Sequence, residues 1–136
     1  MKRVVVDPGV LVSAALSRLG NPARIVEAAR VGRFVLVASP KLLAELDDAL
    51  SRPKIATRLD PDGLQRLREV MAAAPVSGDP PALAVSRDPK DDYLIALAQH
   101  SGAACLISGD QDLTVLVDVV PPVRTPAAFL EDLSTW

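Results

Sequence analysis

The sequence predicts an α/β fold with three layers, α/β/α, around a central and mostly parallel sheet of four to five strands. Four short apolar runs are rich in β-branched residues and continuous instead of alternating, as is typical of strands that are covered on both faces. These runs are residues 3–7, 33–39, 103–109 and 117–123. Segments with the apolar spacing of helices separate them, and strands that alternate with helices predict a layered α/β fold.

Most helix starts are marked by a capping residue that is followed by proline. The capping oxygen can accept a hydrogen bond from a free amide, and proline at the first helical position has no N–H to leave unpaired. Residues 40–74 are expected to hold two helices joined by residues 51–60, and residues 76–89 form a loop that could include a short edge strand. The capped starts are Asn21-Pro22, Ser39-Pro40, Asp60-Pro61, Asp88-Pro89 and Thr125-Pro126.

Length and composition favour one domain, residues 1–136. A chain of 136 residues, of which 49% are hydrophobic, can form one core and has little room for a second. The chain has a single cysteine, Cys105, so an intrachain disulfide is excluded, and a reduced, cytoplasmic protein is expected. Cys105 lies in an apolar run and is expected to pack in the core. Because Asp7 and Pro8 interrupt the apolar start, we expect no targeting segment. Because no uninterrupted run of about 18 apolar residues occurs, we expect no membrane span.

Charge is distributed unevenly along the chain. Residues 1–90 carry 14 basic and 10 acidic side chains, whereas residues 91–136 carry 1 and 7. A basic portion beside an acidic one would suit a polyanion that is held near metal ions. The overall net charge of −2 lacks the strongly basic signature of a dedicated nucleic-acid binder.

Four acidic residues fall where an open parallel sheet gathers its ligands. Asp7 and Asp110 end or follow predicted strands. Asp91 opens the helix before the third strand, and Glu45 lies early in the helix after the second. Clustered carboxylates repel one another unless a cation lies between them, and Mg²⁺ and Mn²⁺ prefer oxygen ligands. The pattern therefore indicates a divalent-metal site.

Helix capping is the competing interpretation of the same acids. Asp7 precedes a proline, and residues 88–91 resemble a capping box with Asp91 at its third helical position. A cap typically contributes about 1 kcal/mol, so stability alone can explain a single such residue. On a helical wheel Glu45 and Asp47 flank opposite edges of the apolar stripe, and geometry alone does not choose between them.

Other common chemistries lack their motifs. The chain has no Walker A loop, GxGxxG, CxxC pair or HExxH, and its single histidine cannot build a zinc site or a conventional Ser/His/Asp relay with any redundancy. Phosphate-transfer folds of the receiver and haloacid dehalogenase kinds require a second aspartate near the first, which residues 7–9 do not supply.

The chain resembles the PIN-domain family, in its VapC-like form, over nearly its whole length. Residues 4–16 look like the first strand of the family with its acidic residue and following helix. Residues 38–54 look like the second strand and the helix that bears a glutamate. Residues 87–113, RDPKDDYLIALAQHSGAACLISGDQDL, are similar to the third and fourth acidic motifs and are the most specific part of the resemblance.

The resemblance implies both a site and an activity. It favours Glu45 over the other acids of its helix, and it implies hydrolysis of single-stranded RNA with Mg²⁺ or Mn²⁺ as the cofactor. Such proteins are often the toxin of a toxin/antitoxin pair and often homodimers, so RNA, a cognate antitoxin and a second copy are the expected partners. The implied catalytic and metal-binding residues, with an auxiliary fifth acid, are Asp7, Glu45, Asp91, Asp110 and Asp112.

The sequence departs from the family pattern directly after the first acid. The family usually has Thr or Ser and then Asn there, whereas this chain has Pro8 and Gly9. Residues that support a metal ligand commonly contribute about 10-fold to 100-fold in metal affinity or activity. The alternative function is therefore a PIN-fold module that binds RNA or a protein partner and has weakened or lost catalysis.

Basic residues near the acids are candidates for contacts with RNA phosphates. With only four aromatic residues in the chain, extensive base stacking is not expected. Tyr93, beside the acids in sequence, could be the one exception, although a core or interface position is favoured for it. Ser108 could add a hydroxyl near the site, or could serve only as a turn residue. The candidate phosphate-binding residues are Arg52, Lys54, Arg58, Arg87 and Lys90.

Overall fold

The computed structural model describes residues 1–81, 92–116 and 118–136. Within them, the strands are β1 (Arg3–Val6), β2 (Val35–Leu36), β3 (Cys105–Ile107) and β4 (Val123–Arg124). The helices are α1 (Pro8–Leu16), α2 (Asn21–Arg30), α3 (Pro40–Ser51), α4 (Pro53–Ala56), α5 (Pro61–Ala73), α6 (Asp92–His100), α7 (Gln111–Thr114) and α8 (Pro126–Leu133).

The four strands form one parallel sheet in the order β2-β1-β3-β4, with helices on its faces. This arrangement confirms the predicted α/β/α fold. β1 and β3 are the central strands, and their residues are buried except for Arg3. The register pairs Val6 with Ile107, the last residues of the two strands. The residues that follow them, Asp7 and Ser108, therefore lie side by side at the carboxyl ends of the sheet.

The fourth strand lies later in the chain than the sequence predicts. The run 117–123 favours a strand, yet β4 begins only at Val123. Pro121 and Pro122 directly precede it and have no N–H to donate to a ladder. The short edge strand considered for residues 76–89 is, in the described part of that stretch, a single parallel bridge between Ala38 and Val76.

The helix starts follow the capping prediction with one exception. Asn21 was expected to cap α2 but is its first residue, and the cap is Gly20, which has no side chain and a φ of +99°. Glycine tolerates this conformation at no steric cost. The start predicted at Asp88-Pro89 lies outside the described residues. Side-chain caps occur as predicted at Ser39, Asp60 and Thr125.

The helix that follows Asp7 is fixed by close packing. α1 packs against α2, α3 and α5, whereas α6 packs on β1 and β3. A Cβ atom at Gly63 in α5 would lie 2.7 Å from the carbonyl oxygen of Ala14 in α1, so only glycine allows this approach. The amide of Asp60 also donates to the carbonyl of Ala15 at 2.9 Å. These contacts secure the element that starts directly beside the first acid.

Cys105 lies in the core, as predicted. Burial raises the pKa of its thiol to about 11. Among the described helices, none combines the length and the apolar character needed to cross a membrane.

Candidate functional site

Two acidic turns lie at the carboxyl ends of the central strands. Asp7 follows β1, and its amide donates to the carbonyl of Ile107 at 2.9 Å, which extends the β1–β3 ladder by one residue. Asp110 follows β3 after the turn formed by Ser108 and Gly109. Both acids are partly exposed. The sheet thus brings together two residues that are far apart in sequence.

Both carboxylate oxygens of Asp7 accept hydrogen bonds. The amide of Gly9 donates to Oδ1 at 2.9 Å, and the hydroxyl of Ser108 donates to Oδ2 at 2.8 Å. Ser108 is fully buried, and its Oγ also accepts a bond from the amide of Asp110 at 3.0 Å. One buried hydroxyl therefore joins the two acidic turns.

Asp7 and Asp110 are also helix caps. Asp7 caps α1 through the amide of Gly9, and Asp110 caps α7 through the amide of Asp112 at 2.8 Å. Each cap uses only the Oδ1 atom of its carboxylate. Capping and a functional role are thus compatible in these two residues, because an ionised carboxylate has about four lone-pair sites and each cap uses one of them.

A groove of about 570 Å³ connects the two acidic turns with α3. Glu45 lines it together with Asp7 and Asp110. Asp47 instead lines a separate, largely apolar groove between α3 and α5. Helix α3 therefore turns Glu45, and not Asp47, toward the acids at the strand ends. The other residues that line the 570 Å³ groove are Pro8, Gly9, Val12, Asp48, Ala49, Arg52 and Ile55.

This 570 Å³ groove, the acidic groove, also contains an acid that the sequence did not assign to the site, Asp48, which pairs with the predicted phosphate contact Arg52. Arg52 donates to Asp48 at 2.9 Å, and both side chains are about two-thirds exposed. Because residues three and four apart lie on the same face of a helix, the helical period that positions Glu45 could have identified Asp48 as its neighbour. Arg52 thus lines the groove, whereas Lys54 and Arg58 are exposed outside its lining.

Some predicted site residues lie elsewhere or outside the described residues. Asp91, Arg87 and Lys90 fall in the undescribed segment 82–91. Asp112 is partly buried on α7, and it donates its amide to Asp110 but does not line the groove. The described site therefore rests on three of the four predicted acids.

The donor chemistry of the groove fits a hard divalent cation. Its ionisable ligands are carboxylates, and the cations that prefer such oxygen ligands are Mg²⁺, Mn²⁺ and Ca²⁺. Within residues 1–81, 92–116 and 118–136, no three Asp, Glu, His or Cys side chains are grouped closely enough to hold an ion by themselves. Mg²⁺ usually keeps several of its waters, so a sparse set of carboxylates from separate elements suits it better than a closed cage.

The family follows from a comparison of the whole sequence. A family model described as "PIN domain" matches residues 3–112. The chain belongs to the PIN-domain family. The match includes β1, α3, α6, β3 and the turn that carries Asp110, so it spans every element of the acidic groove. PIN domains are generally nucleases, which are hydrolases, and they typically use divalent metal ions. The family also suggests RNA as the substrate.

Two further proteins resemble this PIN domain over nearly their whole length. Uncharacterized protein MJ1680 from Methanocaldococcus jannaschii is 28% identical over an alignment 145 positions long, which covers 98% of this chain and 93% of the relative. The crystal structure of PAE2754 from Pyrobaculum aerophilum has a TM-score of 0.59 and 19% identity, and covers 99% of this chain and 91% of that chain. The structural likeness shows a common fold.

Proposed function

We propose that this protein is a metal-dependent endoribonuclease that cleaves phosphodiester bonds of single-stranded RNA in the acidic groove. The observation that carries the proposal is that Asp7, Glu45 and Asp110, which come from three separate elements, line one open groove. The general nuclease activity of PIN domains supports the same reaction class. An open groove also suits an extended polymer better than a closed cavity would.

The residues of the groove have distinct proposed tasks. Asp7, Glu45 and Asp110, together with Asp91, would bind Mg²⁺ or Mn²⁺, with Asp112 as an auxiliary acid. A bound divalent ion supplies a Lewis acid for the phosphodiester and an activated water. The hydrogen bonds to both oxygens of Asp7 hold that carboxylate in one orientation. Such positioning lowers the cost of organising the site at the moment of reaction.

Arg52 is the proposed phosphate contact within the groove. Its partner Asp48 is exposed, and exposed ion pairs contribute only about 0–1 kcal/mol. Exchange of this carboxylate for an RNA phosphate would therefore cost little. Lys54 and Arg58, with Arg87 and Lys90, remain candidates for contacts along the RNA backbone beyond the groove.

The alternative function, a PIN-fold module without catalysis, depends on Gly9 at the position where the family usually has asparagine. Asp7 nevertheless receives two hydrogen bonds, one from the backbone of Gly9 and one from Ser108. These bonds favour the catalytic function. A toxin role, a cognate antitoxin and a homodimer remain predictions from the family resemblance, and a cytoplasmic location remains a prediction from the single cysteine.

The test is incubation of the purified protein with a pool of single-stranded RNA, with and without Mn²⁺. The variant Asp7→Asn is compared with Asp60→Asn, because Asp60 also caps a helix but does not line the groove. Asparagine caps helices about as well as aspartate, so both variants should fold. We expect Mn²⁺-dependent cleavage by the wild type and by Asp60→Asn. We expect a loss of at least about 100-fold in Asp7→Asn, since metal-assisted stabilisation contributes several kcal/mol. Cleavage that survives in Asp7→Asn would contradict the proposal.

A further inference from the structure

We propose that Tyr93 is a positioning residue that holds the carboxylate of Glu45 in the acidic groove. The inference rests on the proposed function, because it assigns to Tyr93 a part in the metal-dependent cleavage of RNA. The observation behind it is a hydrogen bond of 2.7 Å from the hydroxyl of Tyr93 to Oε2 of Glu45.

The two partners differ in how firmly the protein holds them. Tyr93 is only 4% exposed, near the start of α6, a helix that packs on both central strands. Glu45 lies on an exposed part of α3. An exposed glutamate samples many rotamers, and fixing one of them costs up to about 2 kcal/mol of conformational entropy. A rigid donor therefore restricts the mobile ligand.

The distance and charge of the bond indicate a strong contact. Hydrogen bonds from a hydroxyl to a carboxylate are short, about 2.5 to 2.7 Å, and about twice as strong as neutral ones. Tyr93 occupies Oε2, and no hydrogen bond links Oε1 to any residue in the described part of the chain. Glu45 can thus keep one oxygen on Tyr93 and offer the other to a cation.

Lys41, on the same helix as Glu45, contacts the face of the Tyr93 ring. Its ammonium nitrogen lies 4.5 Å from the centre of the ring. Lys41 and Glu45 are one helical turn apart, so α3 contacts Tyr93 at two points, the ring face and the hydroxyl. Two contacts define the orientation of the ring relative to α3 better than one. The arrangement therefore fixes where the Glu45 carboxylate lies.

A buried tyrosine hydroxyl generally finds some partner, so a role in stability alone is the competing explanation. The two roles differ in what the removal of the hydroxyl does. If the bond only stabilises the fold, Tyr93→Phe lowers stability and leaves metal binding and cleavage unchanged. If the bond positions Glu45, the same change weakens metal binding and cleavage, and does so only when Glu45 is present.

The first experiment is a double-mutant cycle of Tyr93→Phe and Glu45→Ala. The cycle is measured on Mn²⁺ affinity and on the kcat and KM of RNA cleavage. We expect Tyr93→Phe alone to lower kcat and Mn²⁺ affinity by about 10-fold, with the KM for RNA unchanged. In the Glu45→Ala background, Tyr93→Phe should have no further effect. Lys41→Met, which leaves the hydroxyl bond intact, should cause a smaller loss.

A second experiment does not depend on activity or on the folding of Tyr93→Phe. Because Tyr93 is the only tyrosine of the chain, tyrosine labelled with ¹³C at Cζ alone gives a single ring resonance in the intact protein. We expect added Mg²⁺ to shift this resonance in the wild type and to leave it unshifted in Glu45→Ala.

The outcomes separate the inference from the proposed function. If the wild type cleaves RNA and Tyr93→Phe is equally active, the inference is wrong and the proposed function stands. The same holds if Tyr93→Phe causes as large a loss of activity in the Glu45→Ala background as it does in the wild type. An unshifted tyrosine resonance at Mg²⁺ concentrations that support cleavage would overturn it in the same way. A wild type that neither binds Mn²⁺ nor cleaves RNA would overturn the proposed function, and the inference with it.

Discussion

Ser39 and Ser108 occupy similar places in the fold and have different partners. Both are fully buried, and both follow a parallel strand: Ser108 comes directly after β3, and Ser39 comes three residues after the end of β2. The hydroxyl of Ser39 accepts a bond from the amide of Leu42 at 3.2 Å, within the first turn of α3. The hydroxyl of Ser108 instead donates a hydrogen bond to Asp7, which follows the neighbouring strand β1.

The difference shows how a structural cap can be distinguished from a residue that assembles a site. The bond made by Ser39 satisfies a helix end and involves no residue distant in sequence. Ser108 links two acidic turns that only the completed sheet brings together. Loss of the first bond should affect stability, and loss of the second should also affect the chemistry of the groove.

The largest effect on function within this comparison is expected for Ser108→Ala. The variant leaves Oδ2 of Asp7 without its donor and the amide of Asp110 without its acceptor. We expect RNA cleavage per folded molecule to fall about 10-fold to 100-fold, as is common when a metal ligand loses its support. Cleavage rates measured over a range of Mn²⁺ concentrations test this, and a wild-type rate at every concentration would contradict the role given to Ser108.

Ser39→Ala is the matched change at the other buried serine. It removes a helix cap, which typically costs about 1 kcal/mol of stability. Urea unfolding should reveal this loss, while cleavage per folded molecule should remain at the wild-type level. A loss of activity comparable with that of Ser108→Ala would remove the distinction between the two serines.

The smallest effect is expected for Gly9→Ala. Gly9 supports Asp7 through its backbone amide, so the bond does not require a particular side chain. A Cβ atom at this position would lie 3.5 Å from Oδ1 of Asp7, an ordinary van der Waals contact. Glycine within a helix destabilises it by about 0.5–1 kcal/mol relative to alanine. The variant should therefore be slightly more stable than the wild type and equally active. A strong loss of cleavage would instead favour the alternative function, in which the departure from the family pattern matters.

The sequence was sufficient for the features that depend on local patterns. Continuous apolar runs identified β1 and β3, and capping residues before prolines identified the starts of α3, α5 and α8. The positions of Asp7 and Asp110 at strand ends followed from the same patterns. Helical periodicity left Glu45 and Asp47 as alternatives, because it does not specify which edge of a helix faces the site.

The remaining features depend on contacts between distant parts of the chain. The bond from Ser108 to Asp7 spans 101 residues and the bond from Tyr93 to Glu45 spans 48, so both require the strand order and the rotation of α3. The position of β4 was missed because the run 117–123 has the composition of a strand, whereas Pro121 and Pro122 within it have no N–H to donate to a ladder. A local pattern contains neither the register of the sheet nor the packing of its helices.

The most direct test of the acidic groove is a calorimetric titration with Mn²⁺ of the wild type, Asp110→Asn and Asp47→Asn. The two variants remove the same charge, but only Asp110 lines the groove with Asp7 and Glu45. We predict that the wild type and Asp47→Asn bind Mn²⁺ with similar affinity and that Asp110→Asn binds at least about 10-fold more weakly. Equal affinity in all three proteins would contradict a divalent-metal site in this groove.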